Sequence, residues 1–341
     1  MVHPIAEANE SSLFGSLSAS EFYARHSVSH SSEYTTNSNG LKLFTQWWVP
    51  LPPTKIIGTL SAVHGFKDHS SWILQLTCIH FAKAGFATCA IDYQGHGYSE
   101  GLRGHIPDIN VVVNDCIDFF DSFRSKYPDS LPSFLYGESL GGAIALLIHL
   151  NGGTNVKPWS GLVLHGAMCK ISQKFKPPWP LEHLSGLAAW LIPTWQVVPT
   201  GPILQFSYKE EWKKKLVLAS TKLVWGRPRA ATAYEFLRVS EGLPKRFEEV
   251  VAPILIVHGG DDSVCDPSGV QELYERAGSK DKTLRVYPGL LHVLAGESEE
   301  KVEMVFGDIM KWLQERAATT LDDGAAVTVA PLCASELKGL N

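Results

Sequence analysis

The chain has 341 residues, of which 45% are hydrophobic and 19% are charged. This balance is typical of a globular protein with a large core, and the formal net charge of −5 argues against a nucleic-acid partner. The six cysteines include no C-x-x-C pair, so their pattern predicts reduced thiols in a cytoplasmic compartment rather than a disulfide framework.

The two ends of the chain show no periodic pattern. Residues 1–39 are rich in Ser, Glu, Asn and His and lack the apolar core of a signal peptide. No segment reaches the roughly 18 apolar residues that are needed to span a bilayer. We therefore expect flexible segments at 1–39 and 318–341, in a protein that is neither secreted nor membrane-spanning.

Strand and helix patterns alternate through the first part of the chain. The first two strands flank a proline-rich turn and predict an antiparallel hairpin. A glycine-rich loop at 92–101 separates the third strand from the second helix. The predicted elements are strands at 41–49, 56–63 and 86–91 and helices at 72–84 and 107–126.

The stretch 132–150 predicts a strand, a sharp turn and a helix in close succession. Its G-x-S-x-G motif places Ser139 at the apex of the turn, where the backbone must be strained. The missing side chains of Gly137 and Gly141 let the strand and the helix approach each other. The amide of Leu140 then lies at a helix N-terminus, where free donors favour an oxyanion.

Regular alternation stops after a short strand at 161–165. Residues 167–250 are instead rich in proline and tryptophan, with a short amphipathic stretch at 181–192. This break predicts an inserted apolar cap over a binding site; alternatively, the aromatic residues pack only on the main domain. Alternation returns with strands at 254–258 and 283–287 and helices at 268–277 and 297–317.

The order of elements predicts right-handed βαβ units. We expect an α/β fold whose central sheet is mostly parallel, with helices on both faces and an inserted cap. The core would comprise residues 40–166 and 251–317, and the cap would comprise residues 167–250.

Serine is a weak nucleophile at neutral pH, so Ser139 needs a base and an orienting acid. The loop after strand 254–258 carries Asp261, Asp262 and Asp266, and the loop after strand 283–287 carries His292. Taken alone, such residues are more often turn, cap or solvated residues. The chain order Ser, Asp, His at three strand ends is the order of an α/β-hydrolase fold.

Several motifs together resemble the monoacylglycerol lipase family, from about Gly40 to Arg316. Glu138 precedes the serine where animal enzymes carry histidine, and this is similar to the plant branch, which includes caffeoylshikimate esterase-like proteins. The motifs are His64-Gly65 after a strand, the loop 92–101, the stretch 137–142, Val264-Cys265-Asp266, and Gly289-x-x-His292.

The resemblance implies a role for each matching residue. Asp262 would be the acid, with Asp261 as the nearest alternative, and Asp266 would cap a helix. Glu138, Cys265 and the cap residue Trp190 would belong to the substrate pocket, although Cys265 would serve equally as a small buried hydrophobe. The remaining implied roles are Ser139 as nucleophile, His292 as base, and the backbone N–H groups of Phe66 and Leu140 as oxyanion donors.

These residues predict a serine carboxylic-ester hydrolase that works through an acyl-enzyme, without a cofactor or metal. The expected substrate is a monoacylglycerol or lysophospholipid. The alternatives are a phenolic-ester esterase, an acyltransferase, and a receptor of the same fold without catalysis. The apolar face of 181–192, with Trp195 beyond it, predicts weak, reversible contact between a cytoplasmic protein and a membrane surface.

Overall fold

The computed structural model describes residues 1–152, 157–172, 176, 181–196 and 203–323. Within these ranges, eight strands form one sheet. The strands are β1 (Val28–Thr36), β2 (Lys42–Pro50), β3 (Gly58–Val63), β4 (Phe86–Ile91), β5 (Ser133–Glu138), β6 (Gly161–His165), β7 (Ile254–Gly259) and β8 (Lys282–Tyr287).

The spatial order of the strands is β1-β2-β4-β3-β5-β6-β7-β8. Strand β2 pairs with β1 and β4 in antiparallel fashion, and the other neighbouring pairs are parallel. Every residue of β3 to β7 is buried, as expected for a parallel sheet that is covered on both faces. The predicted mostly parallel α/β sheet is therefore confirmed.

Helices cover both faces of this sheet. The first face is packed by α3, α4 and α9, and the second by α2 and α10. The helices are α1 (Ala19–Arg25), α2 (Ile73–Lys83), α3 (Ile109–Arg124), α4 (Leu140–Asn151), α5 (Leu181–Leu191), α6 (Ile203–Ser207), α7 (Glu211–Leu218), α8 (Ala230–Gly242), α9 (Pro267–Arg276) and α10 (Glu299–Asp323).

The N-terminal segment is part of the folded core, and the expectation of a flexible segment at 1–39 is wrong. Strand β1 pairs with β2 along its whole length, and a capping box between Ser18 and Glu21 starts α1. Ile5 and Phe22 are buried in the same hydrophobic cluster as α2. The apolar residues that anchor this segment are too widely spaced to form a periodic pattern, so only their burial reveals the order.

The predicted hairpin between the second and third strands is also wrong. Strand β4 lies between β2 and β3, and β2 pairs with β4 over Thr45 to Trp48. The true hairpin partner of β2 is β1, which comes from the segment that lacked a pattern. Two apolar strands around a short turn have the same local signal whether they pair directly or cross over a third strand.

Helix α10 runs to Asp323, beyond the predicted end at 317. The expected flexible tail is thus wrong for 318–323, a stretch that contains neither glycine nor proline. The hydroxyls of Thr319 and Thr320 donate to carbonyl oxygens one turn earlier. The remainder of that predicted tail, 324–341, lies outside the described residues.

Helices α5 to α8 lie between β6 and β7, in the stretch where the sequence predicts the cap. Helix α5 packs against α8, and the chain returns to the sheet through a three-ten segment, Leu243–Glu249. Trp179 and the prolines at 177, 178, 180, 199 and 202 lie outside the described residues. Within the described ranges, no helix is both long enough and apolar enough to cross a membrane.

Candidate active site

The turn between β5 and α4 carries Ser139 in a strained conformation. Its φ is +54° and its ψ is −117°, a region that residues other than glycine rarely adopt. A Cβ at Gly137 would lie 2.3 Å from the carbonyl oxygen of Gly141, and a Cβ at Gly141 would lie 2.2 Å from that of Val63. Gly137 is therefore required by the close approach of β5 and α4, as the sequence predicts, whereas Gly141 is required by the approach of α4 to the end of the neighbouring strand β3.

Three strand ends bring the predicted triad together. The Nε2 atom of His292, in the loop after β8, lies 3.0 Å from Ser139 Oγ. Its Nδ1 atom lies 2.7 Å from Asp262 Oδ2, in the loop after β7. The alternative acid, Asp261, is exposed, and its carboxylate accepts a hydrogen bond from the amide of Gly289 instead. The geometry is that of a Ser-His-Asp triad with Asp262 as the acid.

The carboxylate of Asp262 is held by donors on both oxygens. Its Oδ1 accepts the backbone N–H groups of Val264 at 2.8 Å and Cys265 at 3.0 Å. Its Oδ2 is shared by His292 and His258, whose Nε2 lies 3.1 Å away. Burial alone would raise the pKa of Asp262, but the adjacent His292 and the hydrogen bonds from both histidines hold it well below its ordinary value. The acid is therefore ionised across the neutral range.

His258 is a contact that the sequence analysis did not assign. It is fully buried at the end of β7, and its ring reaches the acid four residues later. Asp266, which the resemblance implies to be a capping residue, accepts the amide of Ser268 at 2.9 Å as the N-cap of α9. The spacing of four between histidine and aspartate after a buried strand was the signal available for His258.

The loop after β3 closes over the nucleophile. A Cβ at Gly65 would lie 3.3 Å from the Cβ of Ser139, and the Gly65 carbonyl accepts the Tyr93 hydroxyl at 3.0 Å. Phe66, the next residue, and Leu140, at the start of α4, line the same cavity as Ser139. Neither amide donates a hydrogen bond in the described part of the chain. Both are available to a ligand at Ser139.

A cavity of about 660 Å³ opens onto Ser139 and His292. This volume is within the range of small-molecule sites. Most of the lining is apolar, and it comes from both the core loops and the cap. The core contributes Val264 and Val293, the loop after β6 contributes Met168, and cap helices α6 and α8 contribute Leu204, Phe236 and Leu237.

The structure separates the three predicted pocket residues. Glu138 and Cys265 line the cavity, but Trp190 is not among the lining residues and is 76% exposed on α5. The inner wall is formed by α8, against which α5 packs through a contact between Gly186 and Tyr234. The prediction for Trp190 is therefore wrong, because a helical pattern identifies an apolar face without indicating what that face contacts.

Two acidic side chains lie in the cavity wall. Burial raises the pKa of Glu138 to about 8, and the nearby Asp68 carboxylate adds to that shift. Burial also raises the pKa of Asp68, which the sequence analysis did not assign, to about 7. Trp225 is a further lining residue that was not assigned. These acids form a polar patch beside Ser139 in an otherwise apolar space.

The outer surface of α5 is apolar. Leu184, Leu187, Trp190 and Leu191 are each at least 49% exposed, and Trp195 follows at 60%. Between Leu181 and Leu191 the helix contains one glutamate and neither lysine nor arginine. These exposed side chains form an apolar patch, and none of them lines the cavity.

Comparison with known proteins gives consistent matches. Residues 54–299 match the family described as serine aminopeptidase, S33 (Hydrolase_4). The caffeoylshikimate esterase of Arabidopsis thaliana is 33% identical over 305 residues, covering 89% of this chain and 91% of that protein. The monoglyceride lipase of Homo sapiens is 30% identical over 290 residues, covering 84% of this chain and 91% of that protein.

A solved structure shares the fold. It is that of a soluble variant of the monoglyceride lipase from Saccharomyces cerevisiae, in complex with a substrate analog. The two chains superpose with a TM-score of 0.74 at 22% identity, and the match covers 84% of this chain and 95% of that one.

Proposed function

We propose that a long-chain monoacylglycerol is the preferred substrate of this protein. The chain belongs to the serine aminopeptidase S33 (Hydrolase_4) family and is a serine hydrolase of carboxylic esters. The observation that carries the proposal is the largely apolar cavity of about 660 Å³ that opens onto Ser139. Such a cavity can hold a long acyl chain. A lysophospholipid also carries a long acyl chain and is a substrate of the same type.

In the proposed mechanism, Ser139 is the nucleophile and His292 is the general base. His292 Nε2, 3.0 Å from the serine oxygen, accepts its proton as that oxygen attacks the ester carbonyl. Asp262 accepts the Nδ1–H bond and stabilises the imidazolium that forms. The imidazolium then protonates the leaving alcohol, and water repeats the sequence to release the fatty acid from the acyl-enzyme.

The negative charge of each tetrahedral intermediate would be stabilised by the amides of Phe66 and Leu140. Phe66 lines the cavity next to Ser139, and the amide of Leu140 lies at the N-terminus of α4, where the helix dipole favours an anion. Such a donor is worth roughly 100- to 1000-fold in rate where its geometry matches the oxyanion.

Labelling with a fluorophosphonate probe tests the proposed nucleophile. The probe reacts with an activated serine, so we expect a covalent adduct at Ser139 in the folded wild-type protein and none in Ser139→Ala. Peptide mass spectrometry identifies the modified residue. Absence of label on Ser139 in a folded sample would contradict the mechanism.

A phenolic ester is the second candidate substrate. The relative from Arabidopsis thaliana named caffeoylshikimate esterase and the polar patch formed by Glu138 and Asp68 favour it. Turnover of a long-chain monoacylglycerol should be compared with that of a caffeoyl ester at equal concentration. Cleavage of the caffeoyl ester faster by about tenfold or more would reverse the order of preference.

Acyl transfer is a further alternative to hydrolysis. Adding an acceptor alcohol to the same assay separates the two reactions.

We further propose that α5 contacts lipid surfaces reversibly, in a protein that resides in the cytoplasm. The exposed leucines of α5 and its indole ring match the composition of interfacial helices. The helix has neither lysine nor arginine, so its attraction to anionic lipid should be weak and largely independent of salt. The five described cysteines are free thiols, as in a reducing compartment.

The membrane proposal is tested with the double substitution Leu187→Ser and Trp190→Ser. Co-sedimentation with neutral phosphatidylcholine vesicles should fall at least about threefold, because two apolar side chains are lost from the contact. Hydrolysis of a short soluble ester is measured in parallel. The control is Met304→Ser, which removes a 42% exposed side chain from α10. Unchanged vesicle binding, or equal loss of soluble-ester turnover, would contradict the proposal.

A further inference from the structure

A chain of buried polar groups runs from the His292 loop to the cavity wall. The amide of Leu294, two residues after His292, donates to Nε2 of His165 at 3.1 Å. The Nδ1 atom of His165 lies 2.6 Å from the Tyr136 hydroxyl, which lies 2.7 Å from Oε1 of Glu138. No sequence pattern singles out His165 or Tyr136, since their side chains meet only in the folded sheet.

The direction of this chain follows from one backbone group. A backbone N–H can only donate, so Nε2 of His165 must be an acceptor, and the neutral ring carries its proton on Nδ1. Burial lowers the pKa of His165 to about 3, which agrees with a neutral ring. The Nδ1–H group then donates to the Tyr136 oxygen, so the tyrosine hydroxyl must donate to Glu138.

Glu138 uses only part of its hydrogen-bonding capacity. Oε1 accepts from the Tyr136 hydroxyl, and among the described residues no hydrogen bond reaches Oε2. The side chain is 11% exposed and lines the cavity next to Ser139. Buried polar atoms normally have partners, so an oxygen left free at a cavity wall is available to a ligand.

The chemistry of the site favours a neutral hydroxyl as that ligand. The described residues include no group of three or more His, Cys, Asp or Glu that could hold a metal ion. Asp68 lies in the same wall and disfavours a second anion. A hydroxyl both donates and accepts, so it pairs with the carboxyl group of Glu138 whether or not that group carries a proton.

We propose that Glu138 binds a hydroxyl group of the ester substrate through Oε2, and that Tyr136 and His165 position its carboxyl group. This inference rests on the proposed function and adds a specificity-determining residue to it. The enzyme should therefore prefer an ester that bears free hydroxyls, such as a 1-monoacylglycerol, over the propyl ester of the same fatty acid.

The experiment compares kcat/KM for these two esters in four variants. In Glu138→Leu and Tyr136→Phe the ratio of monoacylglycerol to propyl ester should fall about tenfold, since one buried hydrogen bond is lost or misplaced. Glu138→Gln keeps an acceptor for Tyr136 and should give an intermediate ratio. The control is Tyr287→Phe, which removes a tyrosine-to-carboxylate hydrogen bond to Asp308 elsewhere in the fold and should keep the wild-type ratio.

Thermal unfolding of each variant establishes that it is folded, and Glu138→Gln and Tyr136→Phe decide the question if Glu138→Leu does not fold. A wild-type ratio in the folded Glu138 and Tyr136 variants would overturn this inference while leaving the proposed function intact. Failure of the wild-type protein to cleave either ester would instead overturn the proposed function and this inference with it.

Discussion

The cavity has two walls that are built in different ways. The core wall consists of strand ends, where hydrogen bonds fix Ser139, His292 and Asp262. The cap wall consists of helices that present apolar side chains such as Leu204 and Phe236. Hydrogen bonds are directional, whereas apolar contacts are not. The core wall therefore determines the reaction, and the cap wall influences which acyl group reaches it.

The two walls are joined where the cap meets the His292 loop. The amide of Val293 donates to the carbonyl oxygen of Ser207, at the end of α6, at 3.0 Å. The ammonium group of Lys213, on α7, is fully buried and donates to the carbonyl oxygens of Ala295 and Glu297. The position of the base is therefore coupled to the cap through this lysine.

The largest expected effect is on the core wall. Asp262→Asn should lower kcat for a soluble ester by about 10⁴-fold, because the charge is lost and, with the amide oxygen held by the backbone N–H groups of the loop, the NH2 group faces His292 and cannot accept its Nδ1–H. Asp261→Asn is the matched control, since Asp261 is exposed beside it, and should stay within about twofold of wild type. Comparable losses in the two variants would refute the assignment of the acid.

The second prediction concerns the junction of the two walls. Lys213→Met should lower the free energy of unfolding by about 2 to 4 kcal/mol, since two buried carbonyl groups lose their donor. It should also lower kcat/KM about tenfold for short and long esters alike, because the His292 loop loses support. Urea unfolding and steady-state kinetics measure the two effects. Lys215→Met removes a largely exposed lysine from the same helix and should change neither.

The third prediction uses the acids in the core wall. Burial raises the pKa of Asp68 to about 7 and of Glu138 to about 8, so both are largely neutral at pH 6 and ionised at pH 9. Tyr136 and His165, which face Glu138, stay neutral over this range, since burial raises the pKa of the tyrosine well above its ordinary value and lowers that of the histidine to about 3.

From pH 6 to pH 9, kcat/KM for an ester whose alcohol carries a carboxylate should therefore fall about fivefold relative to a neutral ester. Glu138→Gln should weaken this dependence, because the amide does not ionise. The ratio of the two rates is measured at each pH, so that changes common to both esters cancel. A ratio that stays constant with pH would show that these acids do not face the substrate.

The smallest expected effect is on the cap wall. Trp225 lines the cavity, whereas Trp195, with similar exposure, does not. Trp225→Ala should raise KM for a long-chain ester about threefold and leave a short ester nearly unchanged, because only the long chain reaches the indole ring. Trp195→Ala should leave KM for both soluble esters near wild type. Equal effects of the two substitutions would contradict the placement of Trp225 in the cavity wall and of Trp195 outside it.

The sequence predicts the reactive centre because its signals are local. The G-x-S-x-G motif lies within one strand-turn-helix unit, in which Gly137 meets the start of α4, and short strands predict where Asp262 and His292 enter their loops. Parallel strands bring those loops to the same edge of the sheet. The chain order and the strand ends were therefore sufficient to locate the serine, the histidine and the loop of the acid, whereas the choice of Asp262 over Asp261 came from the family resemblance and agrees with the folded geometry.

The tertiary structure decided the features that depend on contacts between distant parts of the chain. Only the folded sheet shows that β1 pairs with β2 and that Trp190 faces outward while Trp225 faces the cavity. The path from His165 to Glu138 is likewise absent from any local pattern. Periodicity reports which side chains are to be buried, but the partner of a buried face is selected by packing across the whole fold.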